Sequence, residues 1–152
     1  MTRADFRDIT EAIYAAISGP PGPRNYDRIR KYYTADARLI RTGIGADGKP
    51  FAKSMTVDEH EKDVSALLAD MAFEEVEIAH EAEIFGNVAR VRSVYRSVYG
   101  SGPKARHGRG INYMNLVFDG RDWKVASVVW DNEREGLAIP PRVLRPQPDS
   151  RP

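Results

Sequence analysis

Two alternating runs meet at Gly86-Asn87, and that dipeptide constrains the chain more than any other feature. A two-residue hairpin loop of this kind uses glycine at positive φ and fixes the register of both flanking strands. Counting outward from it, Phe85 faces Val88, Glu83 faces Arg90, Glu81 faces Arg92 and Glu77 faces Arg96. Opposite charges then meet at three positions of one face, each pair contributing about 0.2–1 kcal/mol. The other face joins Ile84 to Ala89, Ala82 to Val91, His80 to Ser93, Ile78 to Tyr95 and Val76 to Ser97, and reads as the interior. A second hairpin turns at Asp119-Gly120-Arg121-Asp122. With Phe118 opposite Trp123, its interior pairs are Leu116–Val125, Met114–Ser127, Asn112–Val129 and Gly110–Asp131. Its reverse face carries Ile111, Tyr113, Val117, Val128 and Trp130, too apolar to leave in water. A second copy of the chain covering Ile111, Tyr113, Val128 and Trp130 is the simplest solution, so a homodimer is expected.

Upstream the period is helical. Phe6, Ile9, Ile13 and Ile17 share one helical face, and Gly19-Pro20-Pro21-Gly22-Pro23 ends the element. A short amphipathic segment with Tyr26, Ile29, Arg30 and Tyr33 follows, then a brief strand at Ala37–Arg41 and a glycine-rich loop from Thr42 to Pro50. Thr56 with Glu59 three residues on predicts a capping box opening a third helix that runs to about Met71. Past Gly136 the chain is proline-rich and reads as an extended arm, anchored by Ile139 and Leu144. The division is thus one domain over 1–135 and an arm over 136–152.

Composition removes whole classes of function. The 152 residues carry a net charge of +1, so no global field recruits nucleic acid or an anionic membrane surface. Residues 90 to 109 hold six Lys or Arg and no acid, but Glu77, Glu81 and Glu83 match those charges within the hairpin. The absence of cysteine excludes disulfides, thiolate metal sites and a cysteine nucleophile. His60, His80 and His107 have no metal-ligand spacing, and no phosphate-binding or nucleophile-elbow motif is present, so neither metal nor cofactor is expected. No run approaches the roughly 20 apolar residues of a membrane span, and Met1–Asp8 lacks the apolar stretch of a leader, so a cytoplasmic protein is expected.

Several segments resemble one family. Asp36-Ala37-Arg38-Leu39 after Tyr32-Tyr33 is similar to the start of the first strand in NTF2-like proteins. Phe118-Asp119-Gly120-Arg121-Asp122-Trp123-Lys124-Val125 resembles their closing hairpin, and Phe85 to Tyr95, Arg109-Gly110-Ile111-Asn112 and Trp130 to Arg134 are similar to other family segments. The resemblance spans about residues 5 to 145 and points to a bacterial NTF2-like or SnoaL-like subgroup. It implies an α+β fold in which a strongly bent antiparallel sheet wraps, cone-shaped, around three N-terminal helices. Such cones hold small molecules, and their functions include isomerases, dehydratases and inert binders. The ketosteroid isomerases of the fold place a tyrosine and two aspartates where this chain has Ile13, Arg41 and Met114. An arginine cannot be a carboxylate base, so that mechanism is not expected.

Candidate chemistry therefore rests on interior polar groups. His80 and Tyr95 on the first hairpin and Asp131 on the second are the candidate catalytic residues: a histidine for proton transfer, a tyrosine to polarise a carbonyl, a carboxylate as partner. Two readings of His80 stay open, an acid–base group or a core histidine satisfied by Ser93. Asp131 is read either as catalytic or as an ion pair with Arg41 or Arg109. Ser93, Asn112, Arg41, Met114, Ser127 and Trp123 are the candidate ligand-binding residues. His60, between Glu59 and Glu61, reads as solvent-facing. The expected function is cofactor-independent acid–base chemistry of dehydratase or isomerase type. The alternative is a non-catalytic ligand-binding or dimerisation module.

Overall fold

A computed structural model describes residues 5–145. Helix α1 (Arg7–Ile17) is followed by β1 (Tyr33–Ile44), β2 (Pro50–Met55), α2 (Val57–Leu67) and four long strands. These are β3 (Phe73–Phe85), β4 (Val88–Tyr99), β5 (Arg106–Phe118) and β6 (Trp123–Asn132). The six strands form one sheet in the order β2-β1-β6-β5-β4-β3. Three of the predicted features change here. The sheet is mixed, because β1 runs parallel to β6. The expected second helix is reduced to a 3-10 turn at Arg30–Tyr32, leaving two α-helices. The predicted loop after Arg41 is instead the β1–β2 hairpin, pairing Leu39 with Met55 through Ile44 with Pro50.

Each helix is fixed by its ends. In α2 the Thr56 hydroxyl accepts from the Glu59 amide at 3.1 Å and the Glu59 carboxylate accepts from the Thr56 amide at 3.2 Å, the predicted capping box. Helix α1 starts at Phe6, whose φ of 66° is costly for a bulky side chain. The ring is 3% exposed and packs edge-on against Trp123 at 5.3 Å, which offsets that strain. The last residue of α1 and the Gly19–Pro23 segment after it leave carbonyls with no helical partner. Buried Arg24 satisfies four of them: Nε donates to Ile17 O at 2.7 Å, Nη1 to Pro20 O and Gly22 O at 2.8 Å each, and Nη2 to Gly19 O at 3.1 Å. The main core lies between α1, α2 and the concave sheet face, with Ile9, Ile29, Leu39, Val64, Met114 and Leu116 at its centre.

The first hairpin follows the predicted register from Phe85–Val88 to His80–Ser93, including Glu83–Arg90 and Glu81–Arg92. There the prediction stops. Ile78 is an extra residue, so Ala79 pairs with Val94 and Glu77 with Tyr95. Glu77 therefore does not face Arg96, and Glu75 stands opposite Ser97. The second hairpin breaks in the same way at Ala126: Leu116 faces Val125 as predicted, but Asn115 faces Ser127 and Asn112 faces Trp130. A bulge reverses the facing of every residue beyond it. Val128 and Trp130 thus turn into the core, while Ser127 and Asp131 turn out.

The convex face is partly covered by the chain itself. Ile139 and Val143 of the arm pack on Val94, which is fully buried, with Ala79, Ile111 and Leu144 around them. Ile139 is further tied by its amide donating to Glu133 Oε2 at 2.8 Å, while Glu133 takes two bonds from Arg109 at 2.7 and 3.0 Å. Ile139 and Leu144 are the anchors read from the sequence. Val143 adds to them, and the arm's predicted course past Arg145 lies outside the described residues.

Candidate functional site

The concave face encloses a cavity of about 270 Å³ between the sheet and the two helices. Its apolar wall includes Ile13, Ile17, Leu39, Val64, Met114 and Val128, and its polar lining includes Glu75, Tyr95, Asn112, Asn132, His60 and Arg41. Strand β3 contributes Glu75 because of the Ile78 bulge. Ser97 Oγ donates to Glu75 Oε2 at 2.9 Å, yet burial dominates and pushes the carboxyl up to about 7. An enclosed acid with so little help favours its neutral form. Beside it, Tyr95 Oη donates to Asn132 Oδ1 at 2.5 Å, and burial, reinforced by the Glu75 charge, drives the phenol far above its usual range. Gly110 sits against this pair, where any Cβ would meet Tyr95 Oη and Asn132 Oδ1.

His60 belongs to this wall rather than to the surface. It is 8% exposed, its Nδ1 lies 3.0 Å from Tyr26 Oη, and its ring stands edge-on to Trp130 at 5.4 Å. Burial, with the Arg41 charge, lowers it to about 4, so it is neutral at neutral pH. Arg41 bonds Asp63 at 2.5 Å and lies 5.8 Å from the Trp130 ring.

A second group of polar residues lies between this cavity and an open groove of about 710 Å³ bounded by α1, β3 and Leu144. Asn112 Nδ2 donates to Tyr14 Oη at 3.0 Å, and Tyr14 Oη is 2.6 Å from Ser93 Oγ. Ser93 donates to Glu77 Oε2, which is also 3.0 Å from His80 Nδ1. His80 Nε2 is 2.6 Å from the carbonyl of Asp5. Each hydroxyl in the row has one donor and one acceptor neighbour. The direction of donation therefore runs from Asn112 through Tyr14 and Ser93 to the Glu77 carboxylate.

The predicted site residues are thus divided. Tyr95, Asn112, Arg41 and Met114 line the cavity. His80 and Ser93 are joined through Glu77, and His80 opens on the groove side. Asp131 lies on the other face, bonded to Arg134 Nη1 at 2.7 Å rather than to Arg41 or Arg109. Ser127 is on that face too, accepting from Asn115 Nδ2 at 3.1 Å. Trp123 packs on Phe6 and Phe118 near the start of β6, away from the cavity lining. Tyr14, Glu75 and Asn132 were not read as site residues, while Glu77 was expected to face Arg96 and His60 to face solvent. One signal pointed to the two acids. Ser93, Tyr95 and Ser97 make an interior polar stripe, and a straight β3 would have set His80, Ile78 and Val76 opposite it, leaving two hydroxyls without polar partners.

No protein-family model matches the sequence, and no curated protein does either. Solved structures do match. The Kfla4162 protein of Kribbella flavida is 15% identical over 87% of this chain and 90% of its own, with a TM-score of 0.66. A candidate dehydratase of the NTF2-like family from Streptomyces avermitilis is 15% identical over 83% of this chain and 91% of its own, at 0.59. The association domain of Caenorhabditis elegans CaMKII, 11% identical, covers 84% of this chain and 92% of its own at 0.59. The chain has the NTF2-like fold.

Proposed function

We propose that the concave cavity binds a small, largely apolar molecule and carries out cofactor-independent acid–base chemistry on it, of the dehydratase or isomerase type. Glu75 is the proton-transferring group in this reading, in place of the His80 and Asp131 expected from the sequence. The observation that carries it is a carboxyl lining the cavity beside the Tyr95–Asn132 pair, whose burial raises it to about 7. A group poised there exchanges protons in either direction near neutral pH. Glu75 also lines the outer groove, a route for its proton to return to solvent. The test is exchange of α-protons of small ketones and enones for deuterium, followed by NMR with wild type and Glu75→Gln. Exchange that is lost in the variant supports the reading; equal rates in both, or none in either across a broad set, defeat it.

A second reading has its own observation. The convex face leaves Tyr113 46% exposed and Leu137 43% exposed beside an apolar hollow of about 260 Å³. That pattern suits a homodimer through the sheet face, centred on Tyr113 and Ile111, and a neighbour of this fold is an association domain. Val128 and Trp130, expected in that interface, face the core instead.

A further inference from the structure

We propose that the molecule taken up by the concave cavity is a compact organic acid, its ionised carboxylate held at the rim by Arg41 and Arg106 and its apolar body turned inward. This rests on the cavity being the working site. Both arginines line the cavity, and Arg106 is exposed, which sets it on the solvent side of the lining. Arg106 lies over the Tyr99 ring at 5.4 Å and forms no ion pair with any described residue. Arg41 and Lys53 share the single carboxylate of Asp63, at 2.5 and 3.0 Å. Among the lining residues Arg41 is matched by Asp63, and the one lining carboxylate, Glu75, is favoured in its neutral form by burial, which leaves Arg106 as the unmatched cation. Asp131, on the other face, is paired with Arg134.

The depth of the cavity gives the rest of the ligand. Leu39, Val64, Met114 and Val128 give the cavity an apolar wall, which suits a hydrocarbon body, while Tyr95, Asn112 and Glu75 stand elsewhere in the lining. A volume of about 270 Å³ falls below the roughly 300–1,000 Å³ of sites for drug-sized ligands. It equals the liquid volume of about nine waters, enough for one ring bearing a short acidic head. Two guanidinium forks at a partly desolvated rim distinguish a carboxylate from its neutral isostere.

The experiment compares cyclohexanecarboxylate with cyclohexanecarboxamide, two probes of equal shape, by titration calorimetry at neutral pH. Wild type should bind the acid roughly tenfold or more tightly than the amide. Arg106→Gln, a change at an exposed residue, should lower that ratio severalfold, with Arg41 still in place, while leaving the amide unaffected. Amide binding equal to or tighter than acid binding, or a ratio that survives Arg106→Gln, overturns the inference alone. Val128→Trp, checked for cooperative melting, should fill the cavity and abolish binding of both probes. Amide binding that survives Val128→Trp, or no millimolar binding of either probe to wild type, overturns the cavity reading as well.

Discussion

Glu77 and His80 stand three positions apart on β3 and yet share one face of the sheet, with Oε2 and Nδ1 3.0 Å apart. Strict alternation would put them on opposite faces. The extra residue at Ile78 restores the match. Since His80 Nε2 meets a carbonyl and Nδ1 meets a carboxylate, both ring nitrogens donate, which requires the imidazolium. Burial alone would lower His80 and raise Glu77, but the bonds and charges between them win, so His80 is raised and Glu77 lowered.

That pair predicts a pH-dependent stability. A raised histidine stabilises fully below its unfolded pKa of about 6.5 and loses this as pH rises through its folded value. A lowered glutamate stabilises above about 4.5 and loses this as pH falls through its folded value. His80→Gln should therefore cost most between about pH 4.5 and 6.5, on the order of 1.5–3 kcal/mol, and much less at pH 9. Urea denaturation at pH 5.5 and pH 9 measures both costs. Equal costs would refute the ion pair.

Glu75 predicts a gain on substitution instead of a loss. Its carboxyl is raised to about 7, so the folded state holds its proton more tightly than the unfolded chain. Stability is then lost as pH climbs from about 4.5 to 7, with a difference of at most roughly 3 kcal/mol. Glu75→Gln should match wild type near pH 4.5 and exceed it at pH 8. Thermal melts at the two values decide this, and a variant that is weaker at pH 8 contradicts it.

Arg24 is predicted to be irreplaceable by lysine. Its fork reaches four carbonyls of the Ile17–Gly22 turn, a geometry one ammonium cannot reproduce. Arg24→Lys and Arg24→Ala should each lose about 1–3 kcal/mol in chemical denaturation. Full stability in the lysine variant would show that charge alone suffices.

For the convex face, Tyr113→Glu should halve the mass seen by light scattering, since it sets a carboxylate in the proposed dimer interface. Tyr113 contacts no core residue cluster, so the fold should survive. An unchanged mass, whether one chain or two, argues against an interface at Tyr113.

Much of the fold was legible where a turn anchored the reading. Gly86 carried the register correctly to His80, and Asp119-Gly120 carried the second hairpin to Leu116. Beyond those points lie Ile78 and Ala126, ordinary residues with no local mark of a bulge. The fault then propagates: one inserted residue moved Glu75 and Glu77 in, the other moved Asp131 and Ser127 out. Tyr95 and Asn112 kept their places because β4 and β5 are the continuous members of their pairs. Tyr14 and His60 were hidden for another reason. Each is a polar residue on an amphipathic helix, and only the tertiary fold shows which side of the stripe is enclosed.

The parallel pairing of β1 with β6 also has a kinetic side. Leu39 rests against Val128, and nearly the whole domain lies between them in sequence. Closing so long a loop costs entropy before any contact repays it. On a ribosome, β1 has its hairpin partner β2 early but lacks its other neighbour until the last strand emerges. The hairpins of β3 to β5 are expected to form first, with acquisition of the β1–β6 seam as the slow step. Pulsed hydrogen exchange during refolding would show the β1 amides that bond β6 protected after those that bond β2; the opposite sequence would reverse that order.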